Sequence, residues 1–229
     1  MEDEDIRAYG FHGTSHKYVS EKAQGFLKSQ NLRSSKLISI HLGNGCSMTA
    51  IKDGKAIDHS MGFGPANGLI MGTRAGDIDQ SVIFYLINQL GYSAEKVNNI
   101  LLKESGMLGL TGSNDLRDIQ QQAEQGNEDC QLALEMNAYR IKKYIGAYTV
   151  ALNGLDAIIF TAGIGENSAL MRKLACQDME VLGLQIDDSK NQVFSNESRD
   201  VSKVNSKAKI LVIPTNEELE IAKQTYNLI

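Results

Sequence analysis

Three short apolar segments packed between Leu37 and Ser60 constrain this chain more than any other feature. Leu37-Ile38-Ser39-Ile40 reads as a strand that runs into His41-Leu42-Gly43-Asn44-Gly45. Ser47-Met48-Thr49-Ala50-Ile51 reads as a second strand. Asp53-Gly54 is a two-residue hairpin turn, and Ala56-Ile57-Asp58-His59-Ser60 returns as a third strand. Turns this short join only antiparallel neighbours, so the core opens with a three-stranded meander.

Two further strands follow much later. Ala157-Ile158-Ile159-Phe160-Thr161 is a buried strand, and Ile210-Leu211-Val212-Ile213 is the last. Between and around them, apolar residues recur at helical spacing over 16–30, 77–90, 93–104, 115–125, 127–152 and 168–176, and a last helix starts at Thr215. Gly13-Thr14-Ser15 supplies a Ser or Thr cap for the first helix, and Asp77 and Asp79 suit the positive end of the second. The stretch 177–207 is polar and loop-like, with room for a short hairpin. Three antiparallel strands followed by helices alternating with two more strands predict an α/β fold. It is a mixed sheet flanked by helices, ribonuclease H-like and of the actin-like ATPase superfamily type, over a single domain, 1–229. Ligands of such sheets sit where strand ends meet loops.

A hydrophobic share of 42% is enough for a packed core. A net charge of −5 argues against nucleic acid as partner. No segment approaches the ~18 apolar residues of a membrane span. Cys46, Cys130 and Cys176 are an odd count with wide spacing, which predicts neither a disulfide framework nor a metal pair. A cytoplasmic location is the simplest expectation. The acidic start, Met1-Glu2-Asp3-Glu4-Asp5, is unlike a secretory leader and reads as a new beginning.

Eight glycines lie between Gly43 and Gly76, at 43, 45, 54, 62, 64, 68, 72 and 76. That density calls for unusual dihedrals or close approach. Neither a Walker A sequence nor a Gly-x-Gly-x-x-Gly after a strand is present, so phosphate binding would rest on separate turns. His41 to Gly45 is one such turn, and on its residues alone it is equally an ordinary hairpin. Gly163-Ile164-Gly165-Glu166-Asn167, between a strand and a helix, is another, balanced against a plain β-α turn. His12 and His16 stand four apart without a third metal ligand, so His12 reads as a phosphate donor or a structural histidine. Arg74 sits in the glycine loop, where it meets phosphoryl oxygens or pairs with Asp77 or Asp79. Asp115-Leu116-Arg117 is, on its residues, a capped helix start. Thr215 with Glu218 fits a capping box, which leaves Glu217 free to hold magnesium. No carboxylate cluster supports a two-metal nuclease.

Taken in order, these segments resemble the acetate kinase family, with its propionate and butyrate relatives. The matching residues are Tyr9 to His16, His41 to Gly45 with Ser47, Ser60 to Phe63, Met71 to Arg74 with Gly76-Asp77, Phe160 to Ser168, and Pro214 to Glu218. The resemblance implies phosphoryl transfer between ATP and a short-chain carboxylate, giving an acyl phosphate and ADP. It implies catalytic roles for His12 and Arg74. It places His41, Leu42, Gly43, Asn44 and Gly45 at the nucleotide phosphates. Asp115, Leu116 and Arg117, with Gly163, Ile164, Gly165, Glu166 and Asn167, would hold the nucleoside. Glu217 would help hold Mg2+. The family's homodimer is implied as well, formed largely through this domain.

Two departures qualify the match. The family's Asp-Thr-Ser-Met-Gly reads Asp58-His59-Ser60-Met61-Gly62, its Thr-Pro-Leu-Glu-Gly reads Gly64-Pro65-Ala66-Asn67-Gly68, and its Ser before Gly-Asp is Ala75. The chain also resembles only the carboxy-terminal of the family's two related domains. The catalytic aspartate, the carboxylate-binding arginine and an asparagine near the magnesium have no matching position. The expectation is a nucleotide-binding half that is catalytically incomplete alone, served by a separate amino-terminal half; the alternative is a non-catalytic binding or oligomerisation remnant.

Overall fold

A computed structural model describes residues 6–28 and 35–228. Helix α1 (Gly13–Lys28) leads into β1 (Lys36–Leu42), β2 (Cys46–Lys52) and β3 (Lys55–His59). Helices α2 (Ser81–Asn88), α3 (Ala94–Lys103), α4 (Gly106–Thr111), α5 (Leu116–Glu124) and α6 (Glu128–Ala151) follow. Then come β4 (Ala157–Thr161), α7 (Ala162–Asn167), α8 (Ala169–Cys176), α9 (Asp188–Asn191), β5 (Arg199–Asp200), β6 (Lys209–Val212) and α10 (Glu217–Tyr226).

The six strands form one sheet in the order β3-β2-β1-β4-β6-β5. The meander is antiparallel, β1 pairs β4 in parallel, and β4 pairs β6 in parallel. This is the ribonuclease H-like, actin-like ATPase arrangement that the strand order predicts. The parallel centre is buried on both faces, which is why β4 is apolar from Ala157 to Phe160 and buried along its whole length.

Period-two alternation divides the sheet between two cores. Ile38, Ile40, Met48, Ala50, Ile158 and Phe160 face one core, with Ile141 and Ile145 of α6. Leu37, Ile51, Ala157 and Ile159 face the other, with Tyr18, Val19 and Ala23 of α1. Ser39 and His41 lie two and four residues beyond Leu37, on the α1 face. The register sets them opposite Thr49 and Ser47. The carboxyl end of β1 is therefore polar on one face only, and that face meets the start of α1.

Several boundaries differ from expectation. Helix α1 begins at Gly13, so Thr14 and Ser15 lie inside its first turn; the carbonyl of His12 accepts from His16 N–H at 2.9 Å instead. Helix α2 begins at Ser81, and Asp77 is no helix-end charge. Its carboxylate accepts from Gly68 N–H at 2.7 Å and from Tyr144 Oη at 2.7 Å, pinning the glycine loop to α6. The Gly163–Asn167 turn is itself helix α7. Helix α4 was not anticipated, because its Gly-Met-Leu-Gly-Leu-Thr sequence carries weak helical propensity. In 177–207, local pairing is reduced to one antiparallel bridge, Ile186 with Ser202, flanked by Asp187 N–H to Val201 O and Lys203 N–H to Gln185 O at 2.8 Å each, while β5 pairs with β6. The capping box at Thr215 is absent; Asn216 caps α10 by accepting from Leu219 N–H at 2.9 Å. The predicted helix end at 29–30 and the acidic start at 1–5 lie outside the described residues.

Candidate functional site

A cleft of about 610 Å3 opens at the carboxyl ends of β1 and β4. Its walls are the β1–β2 turn, the start of α5, and α7 with the start of α8. Gly43 and Asn44 line it, as do Asp115, Leu116 and Arg117, and Gly163, Ile164 and Asn167. Segments separated by more than a hundred positions thus share one cavity. The other predicted residues support it from behind. Leu42 is packed in the core, and Gly165 lies against the backbone of Phe160 and Ile40. Glu166 turns inward, where Oε1 accepts from Ala162 N–H at 2.8 Å and Thr215 N–H at 3.0 Å. Its carboxylate ties β4, α7 and the approach to α10 together and is not a cleft-facing group.

Asn114, Gln120 and Ser168 also line the cleft and were missed from sequence. Gln120 Nε2 donates to Ser168 Oγ at 2.5 Å across the cleft. Gln120 stands one helical turn after Leu116, which was the available signal. Beneath α7, buried Arg172 donates to the carbonyls of Gly165 and Glu166, each at 2.9 Å, and to Asn191 O at 2.8 Å. Burial lowers its pKa to about 10, and carbonyl dipoles replace a carboxylate partner.

At the outer rim Asp115 caps α5 by accepting from Arg117 N–H at 2.9 Å. Arg117 also donates to it through Nε and Nη2, at 3.0 and 2.5 Å. These side-chain hydrogen bonds hold the Asp115 carboxyl down at about 2. The Arg117 side chain is 89% exposed, so it can be redirected at small cost.

The inner end, behind the β1–β2 turn, is built differently: His12, His41 and Arg74 do not line the cleft but approach it at Gly43 and Gly45. His12, with φ +58°, precedes α1, and its ring stacks on His41 at 4.1 Å and 10°. His12 Nδ1 lies 2.9 Å from Ser47 Oγ, and His41 Nδ1 lies 2.9 Å from Ser15 Oγ. His16 bridges Ser39 and Ser47 at 2.8 and 2.7 Å. Desolvation by burial lowers the pKa of all three, His41 to about 3 and His16 well below its ordinary value, with the neighbouring rings adding to the shift. A Cβ on Gly45 would lie 3.2 Å from His12 Nε2 and 3.7 Å from Arg74 Nη1, so glycine there leaves both groups room at the turn. Arg74 donates to Pro65 O at 3.0 Å and has no carboxylate partner among the described residues. The glycine loop reaches the turn because Gly72 is small: a Cβ there would meet Asn44 Oδ1 at 2.0 Å.

His59, where the family pattern has Thr, clasps two backbones. Its Nε2 lies 2.8 Å from Phe11 O, and its Nδ1 accepts from Met61 N–H at 2.9 Å. It ties the irregular segment before α1, which carries His12, to the loop that leads to Arg74. A second cavity, about 680 Å3, lies between α1 and β3. It is larger than the cleft, and it holds none of the predicted site residues, so size does not decide between them.

No group of three or more His, Cys, Asp or Glu positioned to hold a metal occurs among the described residues. Mg2+ needs only one or two protein carboxylates when phosphates and waters supply the rest. Half-buried Glu217 opens α10, two residues after Thr215, whose N–H donates to Glu166 Oε1 at 3.0 Å, and it is not among the residues lining the cleft. No helix among the described residues is long and apolar enough to cross a membrane.

Comparison with known proteins accords with this geometry. The sequence profile of the acetokinase family matches residues 1–223. The acetate kinase of Flavobacterium johnsoniae is 65% identical over the whole chain, which covers 57% of that relative. The acetate kinase of Carboxydothermus hydrogenoformans is 53% identical over 98% of the chain and 56% of its own length. The crystal structure of Porphyromonas gingivalis acetate kinase superposes with a TM-score of 0.93 at 43% identity, covering 99% of this chain and 57% of that one. A propionate kinase from Francisella tularensis gives 0.91 at 47% identity, covering 99% and 57%. The chain spans a little over half the length of the relatives it matches.

Proposed function

The chain belongs to the acetokinase family, and on that premise we propose that it is the nucleotide-binding half of a phosphotransferase acting between ATP and acetate or a similar short carboxylate. The observation that carries this reading is the cleft itself. One cavity gathers Gly43 and Asn44, Asp115 to Arg117, and Gly163, Ile164 and Asn167, and behind its β1–β2 turn His12 and Arg74 approach Gly45.

In this reading the nucleoside lies between α5 and α7, bounded by Leu116, Arg117, Gly163, Ile164 and Asn167. The phosphates run inward along Gly43 to Gly45. Arg74 and His12 meet the transferred phosphoryl group, where catalysis is chiefly positioning and charge neutralisation. Glu217 would hold Mg2+, which when bound neutralises charge on the phosphate oxygens. The residues expected for the carboxylate pocket and the catalytic aspartate have no counterpart here, so acyl phosphate formation needs a further segment. The reading places the chain in the cytoplasm.

Self-association is part of the proposal. Helix α2 is apolar yet has no buried residue, and Val82, Phe84 and Tyr85 are exposed. A hydroxamate assay for acetyl phosphate tests the whole. The chain alone should show a trace rate, and adding the remaining segment of the Flavobacterium johnsoniae relative should restore turnover. Full rates from the chain alone would contradict the assignment of a half-enzyme, and a lack of Mg-ADP binding would contradict the nucleotide site.

A further inference from the structure

Ser15, Ser39 and Ser47 are each 0% exposed, and each hydroxyl touches an imidazole nitrogen. A buried hydroxyl hydrogen without an acceptor forfeits a hydrogen bond it had in water. Ser39 Oγ has one hydrogen-bond partner among the described side chains, His16 Nδ1 at 2.8 Å. Ser15 Oγ likewise has one, His41 Nδ1 at 2.9 Å. Both hydroxyl hydrogens therefore point at Nδ1 lone pairs.

That direction propagates. A neutral imidazole that accepts at Nδ1 carries its proton on Nε2. His16 Nε2–H then donates to Ser47 Oγ at 2.7 Å. The Ser47 hydrogen is left to donate to His12 Nδ1 at 2.9 Å. His12 in turn carries its proton on Nε2, and His41 does so by its own bond to Ser15. The reverse direction strands the Ser39 hydrogen in the interior and turns a lone pair of His12 toward the cleft. The stacking also disfavours charge on both rings at once, since two imidazolium ions with centroids 4.1 Å apart repel. The downward pKa shifts of His12, His16 and His41 agree.

Both Nε2 atoms come to the same turn. His41 Nε2 lies 3.7 Å from the Cβ position of Gly43, and His12 Nε2 lies 3.2 Å from that of Gly45. We propose that Ser15, Ser39, His16 and Ser47 are positioning residues that hold His12 and His41 as neutral Nε2–H tautomers, so that two stacked N–H donors meet a phosphoryl oxygen at the 43–45 turn while Arg74 supplies the positive charge. The inference deepens the proposed phosphoryl transfer and rests on it. It assigns the two histidines fixed dipoles in place of charge, which cost no reorganisation as the phosphoryl group passes.

Two-bond proton–nitrogen correlation spectra of the histidine rings test it, on the 229-residue chain without ligand at pH 7.5. His12 and His41 should each show a protonated Nε2 and an unprotonated Nδ1. Ser47→Ala should lose that preference at His12 and keep it at His41, and Ser15→Ala should do the opposite. Each variant thereby controls for the fold of the other. Inorganic phosphate should then shift both Nε2 resonances. Nδ1 protonation of either ring in the wild type, a His12 tautomer indifferent to Ser47→Ala, or Nε2 resonances that ignore phosphate would each overturn the proposal. The tautomers are read without nucleotide. A chain that shows them and binds no Mg-ADP would refute the proposed function and leave the serine lock standing.

Discussion

The two ends of the cleft are built on opposite principles. At the outer end, Asp115 and Arg117 are neighbours in sequence, exposed, and joined by a local pair that a ligand can reopen. At the inner end, His12, His16 and His41 are held by serines from α1, β1 and β2, all buried. The outer end is adaptable at little cost, whereas the inner end is pre-organised and its order is part of the fold. The comparison implies that changes at the inner end cost stability and geometry together, while changes at the outer end cost affinity alone.

The largest expected effect comes from the floor of the inner end. Gly106 has φ +62°, and a Cβ there would meet Met71 O at 2.2 Å and Arg74 O at 2.7 Å. Backbone cannot yield as a flexible side chain can. Gly106→Ala should cost about 3 kcal/mol or more in denaturant unfolding, from strain and overpacking. A cost below about 1 kcal/mol would mean that the Arg74 loop is softer than its contacts suggest.

His59→Thr restores the residue of the family pattern and removes the clasp on Phe11 and Met61. Two lost hydrogen bonds should cost about 1–3 kcal/mol. If stability is unchanged, the clasp is redundant with the loop's other anchors, such as the Asp77–Tyr144 bond.

Acid gives an effect that belongs to the inner end. His16 and His41 have depressed folded-state pKa values, so the unfolded chain binds protons that the folded chain refuses. Their contribution is complete above the unfolded value of about 6.5 and falls as pH drops toward the folded value, about 3 for His41. Each such histidine should withdraw about 1.4 kcal/mol per pH unit below about 6.5. Unfolding midpoints measured from pH 7.5 to 5 should fall accordingly. A flat profile would mean that the rings are protonated without penalty.

The smallest stability effect belongs to the outer end. Arg117→Ala removes an exposed ion pair and should leave the denaturant unfolding midpoint essentially unchanged. A larger loss would remove the contrast between the two ends.

The sequence made the two ends unequally legible. The meander, the central strands and most helices could be read because period-two and helical spacing are local signals. The three nucleotide-side segments could be read as segments for the same reason. What joins them could not. That Ser39 and His41 share a face with Ser47, under His16, depends on strand register and on how α1 crosses the sheet. The inward turn of Glu166 was hidden too, since its partners Ala162 and Thr215 belong to different strand ends. Helix α4 escaped because its conformation is imposed by backbone bonds from Met107 and Leu108 to the glycine loop, not by its own residues.

The central claim is that this chain carries a formed nucleotide site. Calorimetric titration with Mg-ADP tests it most directly, run on the wild type and on Arg117→Ala. The account predicts saturable binding of one nucleotide, weakened roughly 5- to 20-fold by the substitution through loss of one or two charge-assisted hydrogen bonds. Absent binding, or binding indifferent to Arg117, would contradict it.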